Sequence, residues 1–271
     1  MEYISTSEAA SKWGISERRV RSLCETGKID GVRRCGKWAW TIPASAQKPA
    51  DGRTLRYLKN TSLKTGSHDF KALDEERNKR TARQLLTEDE IKSIISSAFM
   101  FDGTFISTDD IGEIFAFNTR NLSLDTQIAV LNMKHVLENL PEIMNEENAA
   151  EINRRLCTDI DEKTALYSLS SNQAETSQAL FEQYSSSWKV LHPVSRASFM
   201  FSELMRNVPY ARMNTQTAFC ILAYELKKAK INVCPFRAED TDELKAALSS
   251  CAIRGNAGEI ISLILKSEGL Q

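Results

Sequence analysis

Basic side chains are concentrated in the first forty residues of the sequence. They form two clusters, one at positions 18–21 and one at positions 33–37. Their members are Arg18, Arg19, Arg21, Arg33, Arg34 and Lys37. The guanidinium group of arginine presents paired N–H donors that match the O6 and N7 acceptors of guanine. Lysine and arginine also neutralise backbone phosphates. The types and spacing of these residues therefore predict a surface that binds double-stranded DNA.

Two short helices are predicted to carry the first cluster. A Ser-x-x-Glu capping box at residues 5–8 begins one helix, and Gly14 ends it. Ser16 then caps a second helix, which is predicted to run from Glu17 to about residue 25. A three-residue turn between two such helices is typical of a helix-turn-helix. The alternating segment that follows predicts a β-hairpin, with its turn at 35–37.

The basic residues fall outside the apolar stripe of these elements. We expect Arg18 and Arg21 to contact bases, and the hairpin side chains to lie along phosphates as a wing. The full set of predicted DNA-contacting residues is Ser16, Arg18, Arg19, Arg21, Ser22, Arg33, Arg34, Lys37 and Trp38. The alternative is that these charges are only solvated. That alternative does not explain why they cluster on the second helix and the hairpin.

The segment YISTSEAASKWGISERRVRSLCETGKIDGVRRCGKWAWTIPASAQKPADGR resembles the winged helix-turn-helix of the MerR and excisionase group. The resemblance rests on EAA, GIS, RRV, GKIDG and the Trp-containing wing that ends in IP. It covers about 50 residues. It implies DNA binding, commonly as a dimer or together with a second protein, in a bacterial or phage setting.

Charge is divided unevenly along the chain. Residues 1–59 hold 12 lysines and arginines against 6 acids, a net of +6, while the remainder holds 23 against 30, a net of −7. A basic front on an acidic body is expected when one small module meets a polyanion.

No signal peptide or membrane span is predicted, so we expect a cytoplasmic location. Six scattered cysteines without a CxxC pair predict reduced thiols and no zinc site.

Three regions are predicted: a DNA-binding domain at 1–48, a linker or connecting segment at 49–84, and a helical domain at 85–271. The segment up to about residue 78 is expected to be loose or weakly helical. The charged run DEERNKRTARQ at 74–84 is interpreted as a connecting helix or a solvated segment. Beyond it, capping boxes and a 3.6-residue apolar period predict six to eight helices. In the segment LDTQIAVLNMKHVLENL, we expect one stripe of Ile128, Leu131, His135 and Leu140. The predicted fold class is mainly α, with a small winged helix-turn-helix domain and an all-α domain.

Three landmarks of the helical region resemble the Fic family, whose helical fold supports adenylyl transfer. The first is FDGTFISTDDIGEIFAF followed by LDTQIAVLNMKHVLENL, with Asn132 at the place of the family's asparagine. The second is HPVSRASFMFSELMRNVPYARMNTQTAFCILAYELKKAKI, and the third is DELKAALSSCAIRGNAGEIISLIL. Together they span roughly residues 95–267. The resemblance implies a Fic-like domain.

The family signature reads His-Pro-Phe-x-[Asp/Glu]-Gly-Asn-Gly-[Arg/Lys]-x-x-Arg and can be placed in two ways. One placement starts at His192 and matches only the histidine and the proline. The other starts at Val208, keeps the proline, an aromatic residue and Asn214, and leaves a helix of suitable length behind it. We favour the second placement, in which HPVSRASFMFSELM becomes the preceding helix.

The favoured placement implies the loss of the family's chemistry. Val208 stands at the catalytic histidine and cannot act as a base. Arg212 stands at the acid that would hold Mg²⁺, so a cation occupies a cation's site. The two glycines and the two phosphate-holding arginines are also replaced. The positions of this degenerate loop are Val208, Pro209, Tyr210, Arg212, Met213, Asn214, Thr215, Gln216 and Phe219.

The family's inhibitory motif, [Ser/Thr]-x-x-x-Glu-[Gly/Asn], has a counterpart in AFMFDG, with Ala98, Asp102 and Gly103 at its defined positions. With Phe219 at the final arginine, nothing remains for the inhibitory acid to restrain. The target-clamping hairpin is reduced to KTALYSLSS at 163–171. His192 is interpreted as a structural residue at a helix start, His135 as a helix-face residue and His68 as a loop residue.

The sequence therefore predicts a DNA-binding regulator with a catalytically degenerate Fic-like domain that serves dimerisation, partner docking or ligand sensing. No metal or nucleotide cofactor is expected. The expected partners are DNA and either a second copy or another protein. The alternative is a divergent Fic-type nucleotidyltransferase or toxin-like modifier with an autoregulatory DNA-binding module. A third hypothesis is an antitoxin-like or phage-derived interaction protein whose acidic body binds a partner.

Overall fold

A computed structural model describes residues 3–13, 16–26, 29, 31–35, 39–44, 46, 68–82, 85–118, 122–160 and 171–270. The chain divides into two compact units, Met1–Tyr57 and Leu58–Gln271. The predicted fold class is confirmed, because the structure is mainly helical with one small sheet. Among the described residues, no helix combines the length and the apolar character needed to cross a membrane.

The N-terminal unit combines two helices with a three-stranded antiparallel sheet. Its elements in chain order are β1 (Tyr3–Ser5), α1 (Thr6–Trp13), α2 (Glu17–Glu25), β2 (Arg33–Cys35) and β3 (Ala39–Pro43). The strand order is β1-β3-β2, with both pairs antiparallel. Ala9 and Trp13 of α1, Val20 and Leu23 of α2, and Ile42 of β3 form its buried core.

Local capping sets both helix starts in this unit, as the sequence predicted. Glu8 donates its backbone N–H to Ser5 Oγ at 3.2 Å and accepts the Ser5 N–H at 2.7 Å. Ser16 accepts the backbone N–H of Arg19 at 3.3 Å. The N–H groups of Glu8 and Arg19 lie in the first turns of their helices, where an N–H group has no partner within its own helix.

The regular elements of the second unit are helices in the part that the structure describes. Its helices are α3 (Lys71–Lys79), α4 (Glu88–Phe101), α5 (Thr108–Phe115), α6 (Leu124–Glu138), α7 (Glu146–Leu156), α8 (Ser171–Ser185), α9 (Pro193–Asn207), α10 (Asn214–Lys228), α11 (Thr241–Arg254) and α12 (Gly258–Ser267), with a 3₁₀ turn at Ala238–Asp240. The predicted caps of α4 and α5, Thr87 and Ser107, both accept N–H groups of the first turn.

Helix α10 is the centre of this unit. Every residue from Thr215 to Leu226 is buried. The helix packs against α9, α4, α7 and α6. A helix buried on all sides is found in the interior of a domain, where each face meets a neighbour. The segment that carries the degenerate loop therefore leads directly into the core.

Three expectations about the helical region need correction. Six to eight helices were expected from residue 85 onward, and the described residues there form nine, α4 to α12. Helix α6 buries Ala129, Val130, Met133, Val136 and Leu137. The expected stripe of Ile128, Leu131, His135 and Leu140 is therefore wrong, since His135 is exposed and the other three are only half-buried. Apolar residues lie on both sides of this helix, so the period alone does not select the buried side.

The third correction concerns the segment up to about residue 78, expected to be loose or weakly helical, and the charged run at 74–84, expected to be a connecting helix or a solvated segment. Residues Lys71–Lys79 form a regular helix, α3, and Leu73 is fully buried in the core of the second unit. Just beyond α3, Arg80 makes two hydrogen bonds to the carboxylate of Glu268, at 2.6 and 3.0 Å. These contacts attach α3 to the helical unit.

Asn132, the residue at the family's asparagine position, bridges two helices. Its side-chain amide donates to the carbonyl oxygens of Leu156, at 3.3 Å, and Thr158, at 2.7 Å. These carbonyls lie at the C-terminal end of α7, where the helix itself supplies no partner. Asn132 therefore holds α6 against α7. The predicted short hairpin at 163–171 lies almost wholly outside the described residues.

Candidate functional site

The loop between α9 and α10 is closed on itself by Asn214, the asparagine that this chain shares with the signature. Asn214 Oδ1 accepts the backbone N–H of Tyr210 at 2.9 Å, and its Nδ2 donates to the Tyr210 carbonyl at 2.7 Å. Pro209 and Tyr210 are buried. Both functional groups of the Asn214 amide thus serve the loop's own backbone.

Two non-glycine residues in this loop adopt left-handed backbone conformations. Val208 has φ 45°, and Met213 has φ 53°. A β-branched residue in this region is rare, and such a conformation costs on the order of 1–3 kcal/mol. Met213 stands at the first signature glycine, and its backbone conformation is one that glycine adopts without strain. Thr215, at the second glycine, lies within α10 with a buried side chain.

A buried asparagine on α7 anchors the same loop. Asn153 Nδ2 donates to the carbonyl oxygen of Arg212 at 2.8 Å and to Thr217 Oγ1 at 3.0 Å. Thr217 in turn donates its hydroxyl to the carbonyl of Met213 at 2.7 Å. Sequence reasoning missed Asn153, since its partners lie about 60 positions further along the chain.

The last signature arginine position belongs to the apolar core. The Phe219 ring packs against three other phenylalanines, with centroid distances of 5.3 Å to Phe201, 6.3 Å to Phe101 and 6.4 Å to Phe236. A phosphate group placed here would lose its hydration without gaining a cationic partner. Gln216, at the other arginine position, is also buried and carries no charge.

Asp102, from the counterpart of the inhibitory motif, contacts the first turn of α10. Its carboxylate accepts hydrogen bonds from Thr215 Oγ1 at 2.7 Å and Gln216 Nε2 at 2.9 Å. The sequence left this acid without a group to restrain, whereas the structure gives it two new partners. A carboxylate at a helix N-terminus is favoured by the helix dipole. It also occupies the position where another anion would meet this turn.

The other members of that segment have local roles. Ala98 is fully buried within α4. Gly103 follows the end of α4 with φ 87° and donates its N–H to the carbonyl of Met100 at 3.0 Å. This left-handed position after a helix strongly favours glycine.

A cleft of about 550 Å³ beside the loop is lined by Tyr210 and by polar residues of α7. Its two arginines, Arg154 and Arg155, bind Glu151 at 2.6 and 2.7 Å. Hydrogen bonds from Arg154 and Arg155 lower the pKa of Glu151 to about 2. The acid therefore stays ionised and holds both cations.

His192 has structural contacts on both ring nitrogens. Nδ1 accepts the backbone N–H of Val194 at 3.2 Å, which caps α9, and Nε2 lies 3.2 Å from Asp74 Oδ1 on α3. The ring stacks on Phe70 with a centroid distance of 3.9 Å. The histidine lies at a helix start, as predicted. His135 lies exposed on α6, and His68 lies outside any helix, near Phe70.

No group of three or more potential metal ligands occurs among the residues for which the structure gives positions. Cys24, Cys157, Cys220, Cys234 and Cys251 are free thiols, and all except Cys234 are buried.

In the N-terminal unit, α2 separates its apolar and basic sides. Val20, Leu23 and Cys24 are buried, Arg18 and Arg21 are exposed, and Arg19 and Ser22 are half-buried. The predicted base-contacting arginines therefore lie on the solvent side of the helix. Ser16 serves as its N-cap.

The two hairpin arginines point to opposite faces of the sheet, because successive strand residues alternate. Arg34 pairs with Trp40 in the ladder, and its guanidinium lies 5.6 Å from the centre of that ring. The Arg33 guanidinium lies 4.9 Å from the centre of the Tyr3 ring on β1. A wing that lay flat along phosphates would need both arginines, Arg33 and Arg34, on the same face of the sheet. Lys37 and Trp38 lie outside the described residues.

Glu17 is a residue that sequence reasoning missed. Its Oε1 accepts a hydrogen bond from Thr6 Oγ1 at 2.8 Å and lies 3.0 Å from Arg21 Nη2. The spacing of Glu17 and Arg21, four positions apart on a helix, is the signal that could have found the pair.

Comparison with known proteins adds a result for the fold. No protein-family model and no curated protein matches the sequence. Among solved structures, a Fic-1 fragment from C. elegans matches with a TM-score of 0.58 and 16% identity, covering 81% of this chain and 69% of that one. A Fic family protein from Desulfovibrio desulfuricans G20 matches with a TM-score of 0.56 and 11% identity, covering 82% and 72%.

A third structure, a Fic domain-containing signaling protein from Bacteroides thetaiotaomicron, matches with a TM-score of 0.51 and 12% identity, covering 80% of this chain and 90% of that one. At such identities the likeness concerns the fold and not the chemistry. The chain therefore has a helical domain with the fold of Fic proteins.

Proposed function

We propose that this chain is a DNA-binding regulator whose Fic-like domain has lost nucleotidyl transfer and serves dimerisation, partner docking or ligand sensing. The observation that carries the proposal is the solvent side of α2. Arg18 and Arg21 project from a helix whose opposite side is fixed in the core by Val20 and Leu23. A rigid helix that presents arginines is suited to reading base edges in a major groove.

The Fic-like loop supports the second half of the proposal. Val208 offers no base, and Arg212 offers no metal ligand. Phe219 is enclosed by aromatic rings, and Asp102 places a carboxylate at the first turn of α10. Acid–base chemistry, metal binding and phosphate binding are each opposed by a different residue. Restoring one of them leaves the others missing.

The test of DNA binding is fluorescence anisotropy with the DNA upstream of this chain's own coding sequence, compared with a scrambled duplex across a salt series. We expect tighter binding to the upstream duplex. The logarithm of the affinity should fall linearly with the logarithm of the salt concentration, with a slope of about −0.9 for each neutralised phosphate. Equal and weak binding to both duplexes would contradict the proposal.

Variants sharpen this test. Arg18→Ala should weaken specific binding by about 1–3 kcal/mol if the side chain contacts a base. Arg237→Ala is the matched control, because it removes the same charge from an arginine that is 78% exposed in the helical unit. The control is expected to leave specific binding unchanged. An equal effect of both variants would show that only net charge matters.

The Fic fold itself favours a second candidate function, transfer of a nucleotide to a protein. Incubation with labelled ATP and Mg²⁺ is expected to yield no labelled protein, for the wild type and for Val208→His alike. The reason is that Val208→His restores only the base, while Arg212 and Phe219 remain. Label on any protein that depends on this chain would favour the transferase instead.

A further inference from the structure

The first turn of α2 contains a carboxylate that is held from two directions. Glu17 Oε1 accepts the hydroxyl of Thr6 at 2.8 Å and lies 3.0 Å from Arg21 Nη2. Thr6 is buried at the start of α1, so its hydroxyl is a fixed donor. The hydrogen bond from Thr6, and then that from Arg21, lowers the pKa of Glu17 and keeps it ionised. Glu17 thus connects α1 to the arginine on α2.

This contact restricts the guanidinium of Arg21 without burying it. The side chain of Arg21 is 45% exposed. An arginine has five N–H donors in a planar fork. Arg21 meets Glu17 through the terminal nitrogen Nη2. A fork that is held in place before binding loses less side-chain freedom when it meets a ligand.

The position of Arg21 on the helix is compatible with contact to a groove. Successive residues of an α-helix are rotated by about 100°. The buried stripe of Val20, Leu23 and Cys24 therefore places Arg18 and Ser22 near the opposite side. Arg21 lies at the edge of that exposed side, next to Glu17. Arg18 would enter a groove centrally, and Arg21 would approach it from the flank.

Resting on the proposed DNA binding, we infer that Glu17 is a positioning residue that sets sequence specificity, because it orients Arg21 toward a guanine in the major groove. The paired acceptors of guanine accept two hydrogen bonds from one guanidinium, and no other base offers the same pair. Glu17 itself does not touch DNA. It selects the orientation in which Arg21 does.

A simpler explanation is that Glu17 and Arg21 form an ordinary surface ion pair at (i, i+4). In that case Glu17 only lowers the attraction of α2 for phosphates. Its removal would then strengthen binding to every DNA sequence and would leave base preference unchanged. The two explanations differ in one observable, the preference at a single base pair.

The experiment uses the full chain and a preferred site selected from a random DNA library. Glu17→Gln is compared with Glu25→Gln, which removes an equal charge from an exposed residue of the same helix. Both variants should bind random DNA more tightly, since both add one unit of positive charge. Only Glu17→Gln should lose the preference for guanine at one base pair, by about tenfold or more.

Arg21→Lys provides an independent arm, because it keeps the charge but cannot form the bidentate contact. It should lose the same preference at the same base pair. The double variant Glu17→Gln/Arg21→Lys should lose no more than either single variant, since both act on one contact. Thermal unfolding of each variant checks that the N-terminal unit remains folded.

Two outcomes would overturn the inference in different ways. If Glu17→Gln keeps the guanine preference while wild type and Glu25→Gln show it, Glu17 has no positioning role and the proposed DNA binding stands. If wild type selects no sequence from the library, the proposed function fails and the inference fails with it. If Glu17→Gln unfolds the N-terminal unit, the folded Arg21→Lys variant decides. The inference then requires that Arg21→Lys loses the guanine preference, and a variant that retains this preference overturns it.

Discussion

The carboxylate of Asp102, immediately after α4, accepts a hydrogen bond of 2.7 Å from the hydroxyl of Thr215 in the first turn of α10. The second oxygen of the same carboxylate accepts the side-chain amide of Gln216 at 2.9 Å. An acid thus joins two helices at the position where the Fic resemblance places phosphate-binding groups. In this chain the hydrogen bonds of Asp102 connect the end of α4 to the first turn of α10.

The first prediction concerns this contact. Asp102→Ala should lower the free energy of unfolding by about 1–2 kcal/mol, because it leaves the buried Thr215 and Gln216 donors without an acceptor. Asp102→Asn keeps one acceptor oxygen and should cost less. Urea denaturation of both variants measures the difference. An unchanged midpoint for Asp102→Ala would show that the contact contributes nothing.

The second prediction concerns the backbone at Val208, which has φ 45°. Val208→Gly should stabilise the chain by about 1 kcal/mol, since glycine adopts this conformation without strain and the valine side chain is 48% exposed. Val190→Gly is the matched control. That residue is 86% exposed and is not one of the positive-φ residues, so glycine there should be neutral or destabilising. Thermal unfolding compares the two, and equal shifts would contradict the prediction.

The third prediction concerns an ion pair between a half-buried arginine of α9 and a buried acid of α10. Glu225 is 1% exposed and accepts hydrogen bonds from Arg196 Nε, at 2.8 Å, and from the Tyr184 hydroxyl. Glu225→Gln should destabilise the chain by about 3 kcal/mol, because the half-buried Arg196 would then lose its counter-charge.

The control for this variant is Glu138→Gln, which removes an acid 4.0 Å from Lys134 at an exposed site. Such a surface pair contributes about 0–1 kcal/mol, so the control should be nearly neutral. Denaturant unfolding followed by tryptophan fluorescence measures both variants. A Glu225→Gln variant as stable as the control would refute the assigned role.

The fourth prediction is a pH dependence that arises from His192. Burial lowers the pKa of His192 below its usual value of 6.5, and the nearby Asp74 only partly opposes this effect. The unfolded chain therefore binds this proton more readily than the folded chain. The contribution of neutral His192 to the free energy of unfolding is complete above about pH 6.5. It is lost as the pH falls through the folded-state pKa of His192.

The variant for this test is His192→Asn, which retains an acceptor for the cap of α9 but does not titrate. The loss of melting temperature between pH 7.5 and pH 5.5 should be smaller for this variant than for wild type. His135→Asn, at an exposed site on α6, should behave like wild type. A His192→Asn variant with the wild-type pH dependence would exclude His192 as the source.

Local sequence was sufficient wherever a structural feature depends on neighbouring residues. The helix starts after Ser5, Ser16, Thr87 and Ser107 follow from side chains that cap N–H groups within three positions. The mainly helical fold class, the two helices and the hairpin of the N-terminal unit, and the Fic likeness of the helical domain could also be predicted, but the first strand, β1, was not. The position of His192 at a helix start belongs to this group.

Tertiary structure decided what depends on distant partners. The buried side of α6, the attachment of α3 through Leu73, and the anchoring of the loop by Asn153 could not be read from the sequence. Asp102 and Thr215 are 113 positions apart, and no local pattern connects them. Capping and helical period are set by bonds within one turn, whereas a packed core selects among faces only when all the helices meet.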